Sequence, residues 1–111
     1  METKRLIEAT CPECRGPLSE TQEDGGPLEY RCLVGHVYSP RSLLQAHSET
    51  QEKALWAAVV ALEEASQLVH SLAPDLPPDL VERLERQAQV KVRQATEVRR
   101  IIEGLEPFQV D

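Results

Sequence analysis

The sequence predicts a small α+β fold, in which an N-terminal module with a short β-hairpin precedes an antiparallel two-helix hairpin. Three features carry this prediction: two closely spaced Cys/His pairs, a turn-forming stretch between them, and two long helical patterns separated by prolines. We predict that the N-terminal module spans residues 9–38 and the helical hairpin residues 39–105. Residues 1–8 are expected to form a polar lead or a frayed turn.

Size and composition are those of one small domain, with 111 residues of which 41% are hydrophobic and 28% charged. Only 4% are aromatic, so we expect a small hydrophobic core. A covalent cross-link or a bound metal would then add stability that the core lacks. The formal net charge of −7 disfavours a nucleic-acid partner, because neutralising phosphates requires positive charge.

The sequence also bears on location. No apolar run approaches the ~20 residues that span a bilayer, and the charged N-terminal residues lack the apolar core of a signal peptide. The odd number of cysteines, three, disfavours a disulfide framework. We therefore expect a cytoplasmic protein without a membrane segment.

Four potential metal ligands form two pairs, Cys11 with Cys14 and Cys32 with His36, separated by residues 15–31. This spacing is typical of a zinc ribbon in which an imidazole replaces one of four thiolates. Two sulfurs that are two residues apart can converge on one ion at ~2.3 Å. Because four protein ligands leave no open coordination position, the sequence predicts a structural Zn²⁺ site rather than a catalytic one.

Other interpretations of these residues stay open from the sequence alone. Cys11 and Cys14 fit a redox dithiol with Cys32 as an inert buried thiol, although that interpretation needs a βαβ setting that the sequence lacks. A site of three thiolates completed by a group other than His36 is a further alternative, with His47 as the reserve ligand. The metal is open as well, since iron fits the same ligands.

Within the ribbon, two strands are predicted at residues 18–21 and 28–32. The segment 23–27 between them, Glu-Asp-Gly-Gly-Pro, is a strong turn signal. Gly16 and Gly35 stand where each metal-binding knuckle bends back, and we expect a positive φ at both glycines.

The first helix is predicted over about residues 40–73. Ser39 suits the N-cap and Pro40 the first helical position. A polar run at residues 48–53 interrupts the apolar face, and we favour one helix with a bend there over two helices. The proline-rich segment 74–78 ends the helix.

The second helix is predicted over about residues 78–103, with Gly104 as its C-cap. Its apolar residues recur at steps of three and four, interrupted by Lys91, in the pattern of a coiled-coil-like seam. The seam consists of Val81, Leu84, Ala88, Ala95, Val98, Ile102 and Leu105. The short connection makes the two helices antiparallel neighbours.

A bare pair of helices buries one face of each and needs a further layer. The N-terminal module, a second copy of the chain and another protein are the candidates for that layer. We therefore expect a protein partner or self-association through the helical hairpin. Motifs of catalysis such as G-x-S-x-G and H-E-x-x-H are absent, so we expect that the protein is not an enzyme.

Three motifs within residues 11–64 are distinctive: C-P-x-C-x-G-x-L, R-C-x-V-G-H-x-Y-S-x-x-S-L-L and A-L-W-A-A. They resemble the zinc-ribbon plus helical C-terminal extension of some bacterial chemotaxis-type methylesterases, the CheB family. The second helix matches only loosely.

The resemblance implies that Cys11, Cys14, Cys32 and His36 are metal ligands and that the protein serves chemosensory or two-component-type regulation. It implies no esterase activity, because that family's catalytic domain is absent from this chain, which is either a free-standing relative or a piece of a longer protein.

Three functions are compatible with these features. We favour a non-enzymatic zinc-binding interaction or regulatory module, in which the ribbon orients the helical hairpin towards a partner. The first alternative is a redox-responsive zinc switch, in which oxidation of Cys11 and Cys14 ejects the metal and frees the helices. The second alternative is a nucleic-acid-binding zinc ribbon, which lacks the expected basic surface.

Overall fold

The computed structural model describes the backbone from Thr3 and the side chains from Lys4 to Asp111. Within this part of the chain, strands precede helices, and the predicted α+β class is confirmed. The elements are β1 (Thr3–Thr10), β2 (Pro17–Gln22), β3 (Glu29–Cys32), β4 (Val37–Tyr38), α1 (Pro40–Leu72), a 3₁₀ turn (Ala73–Asp75) and α2 (Pro78–Glu103).

The strands form one antiparallel sheet in the order β1-β2-β3-β4. Leu18 of β2 pairs with Cys32 of β3, which sets the register of the central hairpin. Gly25, at a φ of 73°, makes the turn between these two strands. The strands predicted at 18–21 and 28–32 are thus confirmed to within one residue.

The first strand corrects the prediction for residues 1–8, because the described residues from Thr3 onward form β1 rather than a polar lead. β1 pairs with β2 at the edge of the sheet, and Ile7 packs against the buried cluster of the ribbon. Its two large apolar residues, Leu6 and Ile7, are adjacent, and the register shifts after Leu6. A strand of this kind lacks the alternation of period two by which strands are predicted.

The buried core of the ribbon consists of Cys11, Leu18, Cys32 and Tyr38. Partly buried residues from the sheet and from α1 pack against it: Ile7, Tyr30, Leu43 and Ala46. Two of the four buried residues are cysteines, so this core and the predicted metal site have two side chains in common.

α1 begins at Pro40 with Ser39 as its N-cap, as predicted, and Ser42 makes the cap reciprocal. The N–H of Ser42 donates to Ser39 Oγ at 3.0 Å, and the N–H of Ser39 donates to Ser42 Oγ at 2.9 Å. α1 runs unbroken through residues 48–53, which confirms one helix rather than two. It ends at Leu72, one residue before the predicted end, where a proline-containing 3₁₀ turn replaces the helical hydrogen bonds.

α2 has its predicted bounds and ends at Gly104, whose N–H donates to the carbonyls of Arg100 and Ile101 at 3.2 Å each. The C-cap role of Gly104 is confirmed. Among the described residues, no helix combines the length and the apolarity needed to cross a bilayer.

The two helices form the predicted antiparallel hairpin. Val59 of α1 and Ala88 and Ala95 of α2 are buried, and both alanines belong to the predicted seam. Glu63 accepts a hydrogen bond from Arg99 at 2.8 Å across the pair. Because the buried residues of α2 are alanines, the seam buries little apolar surface.

The chain divides into two compact units. The first holds the sheet, α1 up to Thr50, and Pro107–Asp111, and the second is Gln51–Glu106. In the first unit, the N–H of Phe108 donates to the buried Ser48 hydroxyl at 3.0 Å. The first turns of α1 therefore group with the sheet, whereas the predicted boundary assigned residues 39–50 to the helical hairpin.

Candidate metal centre

The structure brings together the four residues that the spacing selected. Cys11 and Cys14 lie between β1 and β2, Cys32 ends β3, and His36 immediately precedes β4. Their ligand atoms all lie within 4.8 Å of one another, so they can hold a metal ion. His47, the reserve ligand, is exposed on α1 and is not part of this cluster.

Backbone hydrogen bonds close the first knuckle. The N–H of Arg15 donates to the Cys11 carbonyl, and the N–H of Cys11 donates to the Gly16 carbonyl, both at 2.8 Å. The left-handed φ, 64°, falls on Arg15, so the predicted positive φ at Gly16 is wrong. The turn closes on the N–H of Arg15, one residue before the glycine. Gly16 lies beside the cluster, since a Cβ there would be in van der Waals contact with Cys14 Sγ at 3.4 Å.

The second knuckle bends at Gly35, whose φ of 111° confirms the prediction for this glycine. The N–H of Gly35 donates to the Cys32 carbonyl at 3.2 Å. The N–H of His36 donates to Cys32 Sγ at 3.3 Å. The tight bend thus directs the N–H of His36 towards Cys32 Sγ and turns the His36 imidazole towards the other ligand atoms.

The spacing of the ligand atoms fits a tetrahedral ion. His36 Nδ1 lies 3.5 Å from Cys11 Sγ and 3.3 Å from Cys32 Sγ. An ion with bonds of ~2.3 Å to sulfur and ~2.0–2.1 Å to nitrogen holds such ligands about 3.6 Å apart at the tetrahedral angle. His36 Nδ1 therefore already lies at about the distance from these two sulfurs that zinc imposes.

The ribbon also favours the thiolate form of two cysteines. Burial opposes ionisation of Cys32, but hydrogen bonds from the backbone of His36 and Gly35 outweigh it and lower the pKa of this thiol to about 6. For Cys11, burial is likewise outweighed by hydrogen bonds from the backbone of Cys14, and the pKa is lowered. Thiolates are the metal-binding form of cysteine.

The cluster is buried on one side and open on the other. Cys11 and Cys32 are buried, His36 is partly buried, and Cys14 is exposed. A metal ion held here would be anchored in the core of the ribbon, with the Cys14 sulfur facing solvent.

Two residues that no sequence pattern singled out contact the cluster. The buried Tyr38 hydroxyl lies 3.6 Å from Cys11 Sγ, and Glu13 Oε2 lies 2.7 Å from His36 Nε2. Burial raises the pKa of Tyr38, so its hydroxyl stays protonated and can donate to a thiolate. Glu13 is one of the two residues between Cys11 and Cys14. This position beside the ligands was the one sequence signal that could have indicated its contact with the cluster.

No protein-family model, curated protein or solved structure matches this chain. The fold and the Cys3His cluster are therefore the basis for assigning a function. Three sulfurs and one nitrogen form a closed set of four ligands, and this composition is that of structural metal sites.

Proposed function

We propose that this protein is a non-enzymatic zinc-binding module that acts through protein–protein contacts. The convergence of Cys11, Cys14, Cys32 and His36 within 4.8 Å carries this proposal. These residues would hold a structural Zn²⁺, and metal binding would contribute folding free energy to a ribbon whose own core is small. Thiolate-rich tetrahedral sites favour zinc, and iron is the competing ion.

Elemental analysis combined with native mass spectrometry tests the metal part of this proposal. We expect one zinc ion per chain in protein purified without chelators, and loss of the sheet when a strong chelator removes the ion. A protein that contains no transition metal and keeps its sheet after prolonged chelation would contradict the proposal. One bound iron would correct the identity of the ion but not the site.

The helical unit supports a role in protein contacts. Large apolar side chains on both helices are 39–59% exposed: Val60, Leu68, Leu72, Val90, Val92 and Ile101. A two-helix layer needs another layer to cover its apolar residues. A partner protein or a second copy of the chain would supply that layer.

Light scattering over a range of protein concentrations tests self-association. We expect a mass above that of the monomer at high concentration. Leu68→Glu should restore the monomer, because Leu68 is 59% exposed and a charge there opposes burial. The zinc content of this variant should stay unchanged. A strict monomer at all concentrations would leave only a different protein as the partner and would contradict self-association.

The motif resemblance over residues 11–64 supports a setting in bacterial chemosensory or two-component-type signalling, in the cytoplasm. This support is a likeness of motifs and carries no contact geometry. Calorimetric titration with response-regulator and chemoreceptor cytoplasmic domains tests it. Absence of binding to both kinds of domain would contradict the signalling role and leave the metal site unaffected.

One observation favours a redox-responsive zinc switch as a second candidate. Cys14 is exposed whereas Cys11 and Cys32 are buried, so an oxidant can reach one ligand without unfolding the ribbon. Hydrogen peroxide would take two electrons from Cys11 and Cys14, forming a disulfide and water and expelling the ion. Reversible zinc release by peroxide, restored by a thiol reductant, would support this candidate, and metal retention under peroxide would contradict it.

A further inference from the structure

The imidazole of His36 is held from both sides. Its Nδ1 faces the sulfurs of Cys11 and Cys32 at 3.5 and 3.3 Å. On the opposite side of the ring, Nε2 lies 2.7 Å from the carboxylate of Glu13. The residue that contacts Nε2 thus comes from the first knuckle, while the histidine itself belongs to the second.

The chemistry of these contacts fixes which nitrogen is free. A neutral imidazole carries one N–H and one lone pair, and an ionised carboxylate can only accept a hydrogen bond. Glu13 therefore favours the tautomer in which Nε2 carries the hydrogen. The lone pair is then on Nδ1, the nitrogen that faces the sulfurs.

We infer that Glu13 is a positioning residue of the metal site, which orients His36, selects its Nδ1 as the ligand atom and strengthens that atom as a donor. This inference rests on the proposed zinc site. A carboxylate that accepts the second N–H of a ligating histidine fixes the orientation of the ring and raises its basicity, and loss of such a partner lowers metal affinity about 10- to 100-fold.

A simple surface ion pair is the competing role for the same contact, since the side chains of Glu13 and His36 are 60% and 32% exposed. The two roles predict opposite effects. An ion pair requires the imidazolium, in which both nitrogens carry hydrogens and none can bind a metal. As an ion-pair partner Glu13 would oppose metal binding, whereas as a positioning residue it supports metal binding.

Competition with a chelator of known affinity measures the effect on zinc. We expect Glu13→Ala to weaken zinc binding about 10- to 100-fold. Glu13→Gln should weaken it less, because the amide oxygen still accepts the Nε2 hydrogen but without a charge. Glu23→Gln is the matched control: Glu23 is exposed in the turn between β2 and β3, and its variant should bind zinc as the wild type does.

A second pair of variants separates an effect through His36 from an effect on the knuckle. In a His36→Cys background the site has four thiolates and no imidazole to orient. Adding Glu13→Ala there should not weaken zinc binding. An equal loss of affinity in both backgrounds would show that Glu13 supports the knuckle alone and would overturn the inference.

A spectroscopic readout gives the geometry directly. In the zinc-loaded wild type, long-range ¹H–¹⁵N spectra of the histidine rings should show His36 with a protonated Nε2 that exchanges slowly with water. In Glu13→Ala this exchange should become faster. Ligation through Nε2, or exchange that is identical in both proteins, would overturn the inference.

The outcomes also separate this inference from the function on which it rests. If the wild type binds no metal, both the zinc site and the role of Glu13 are contradicted. If the wild type binds zinc and Glu13→Ala binds it equally well or more tightly, only the role of Glu13 is contradicted.

Discussion

Tyr38 and Cys11, which are 27 residues apart in the sequence, meet inside the ribbon with the phenol oxygen 3.6 Å from the sulfur. Both residues are buried and both belong to the core cluster. One contact therefore joins the first knuckle to the last strand of the sheet and places a hydroxyl donor beside a metal-binding sulfur. Four predictions concern this ribbon and the helices that follow it.

Removing the Tyr38 hydroxyl should destabilise the zinc-loaded ribbon. Tyr38→Phe keeps the buried ring and leaves the Cys11 thiolate without its side-chain donor. A hydrogen bond to a charged group contributes about 1.5–3 kcal/mol, and we expect a loss of that order in urea denaturation. Tyr30→Phe, a matched change on a half-buried residue of β3, should cost less. Equal losses in the two variants would show that the contact with Cys11 contributes nothing.

Replacing Cys14 should remove the metal without creating a cavity. The Cys14 side chain is exposed, so Cys14→Ser changes no core packing, and any loss of stability reports the loss of a ligand. We expect a lower zinc content and a ribbon that unfolds at lower denaturant. His47→Ala, which removes the reserve ligand, should retain full zinc content. Full zinc content in Cys14→Ser together with loss of zinc in His47→Ala would replace Cys14 by His47 in the ligand set.

Near neutral pH the Cys32 thiol should contribute little to the protons released on zinc binding, because the backbone hydrogen bonds that outweigh burial lower its pKa from 9.0 to about 6. As the pH falls through about 6, Cys32 gains a proton that zinc must displace, so proton release rises and apparent affinity falls. Without metal, the lowered pKa stabilises the folded state fully above the ordinary pKa of 9.0, and this contribution is lost as the pH falls through about 6.

Isothermal titration calorimetry in buffers of different ionisation enthalpy measures this proton release. A proton release that does not rise as the pH falls through about 6 would contradict the prediction. Cys32→Ser provides the comparison, because it removes the thiol whose pKa is about 6 while leaving Cys11 and Cys14 in place.

Shortening the buried valine of the helical seam should destabilise the second unit. Val59 is fully buried and Val60 is 51% exposed. Val59→Ala should cost about 2 kcal/mol through lost burial and an unfilled cavity. Val60→Ala makes the same chemical change at an exposed position and should be nearly neutral. Thermal unfolding followed at the single tryptophan, Trp56, measures both, and similar melting temperatures would show that the seam does not pack as described.

Local sequence signals predicted much of the site. The spacing of Cys11, Cys14, Cys32 and His36 selected the residues that converge, because knuckle geometry depends on residues close in sequence. The Gly35 bend is local for the same reason. The contacts of Glu13 and Tyr38 with the ligands could not be predicted from local spacing, since they join residues from different knuckles and strands.

Long-range packing explains what the sequence did not predict in the fold. β1 is an edge strand whose pairing with β2 supplies the order that its own sequence lacks. The positive φ at Arg15 follows from the closure of its knuckle, not from a preference of arginine. Leu43 and Ala46 share the apolar pattern of a helix, and only their contacts show that they serve the ribbon core.

The hydrogen bond from Phe108 to Ser48 changes how the order of the chain should be understood. Because Pro107–Asp111 rejoins the unit that contains the sheet, the helical segment Gln51–Glu106 is an insertion within that unit rather than a tail that follows it. A homologue could lengthen, shorten or replace this insertion between Thr50 and Pro107 and still retain a whole ribbon, so the two parts of the molecule are free to diverge at different rates.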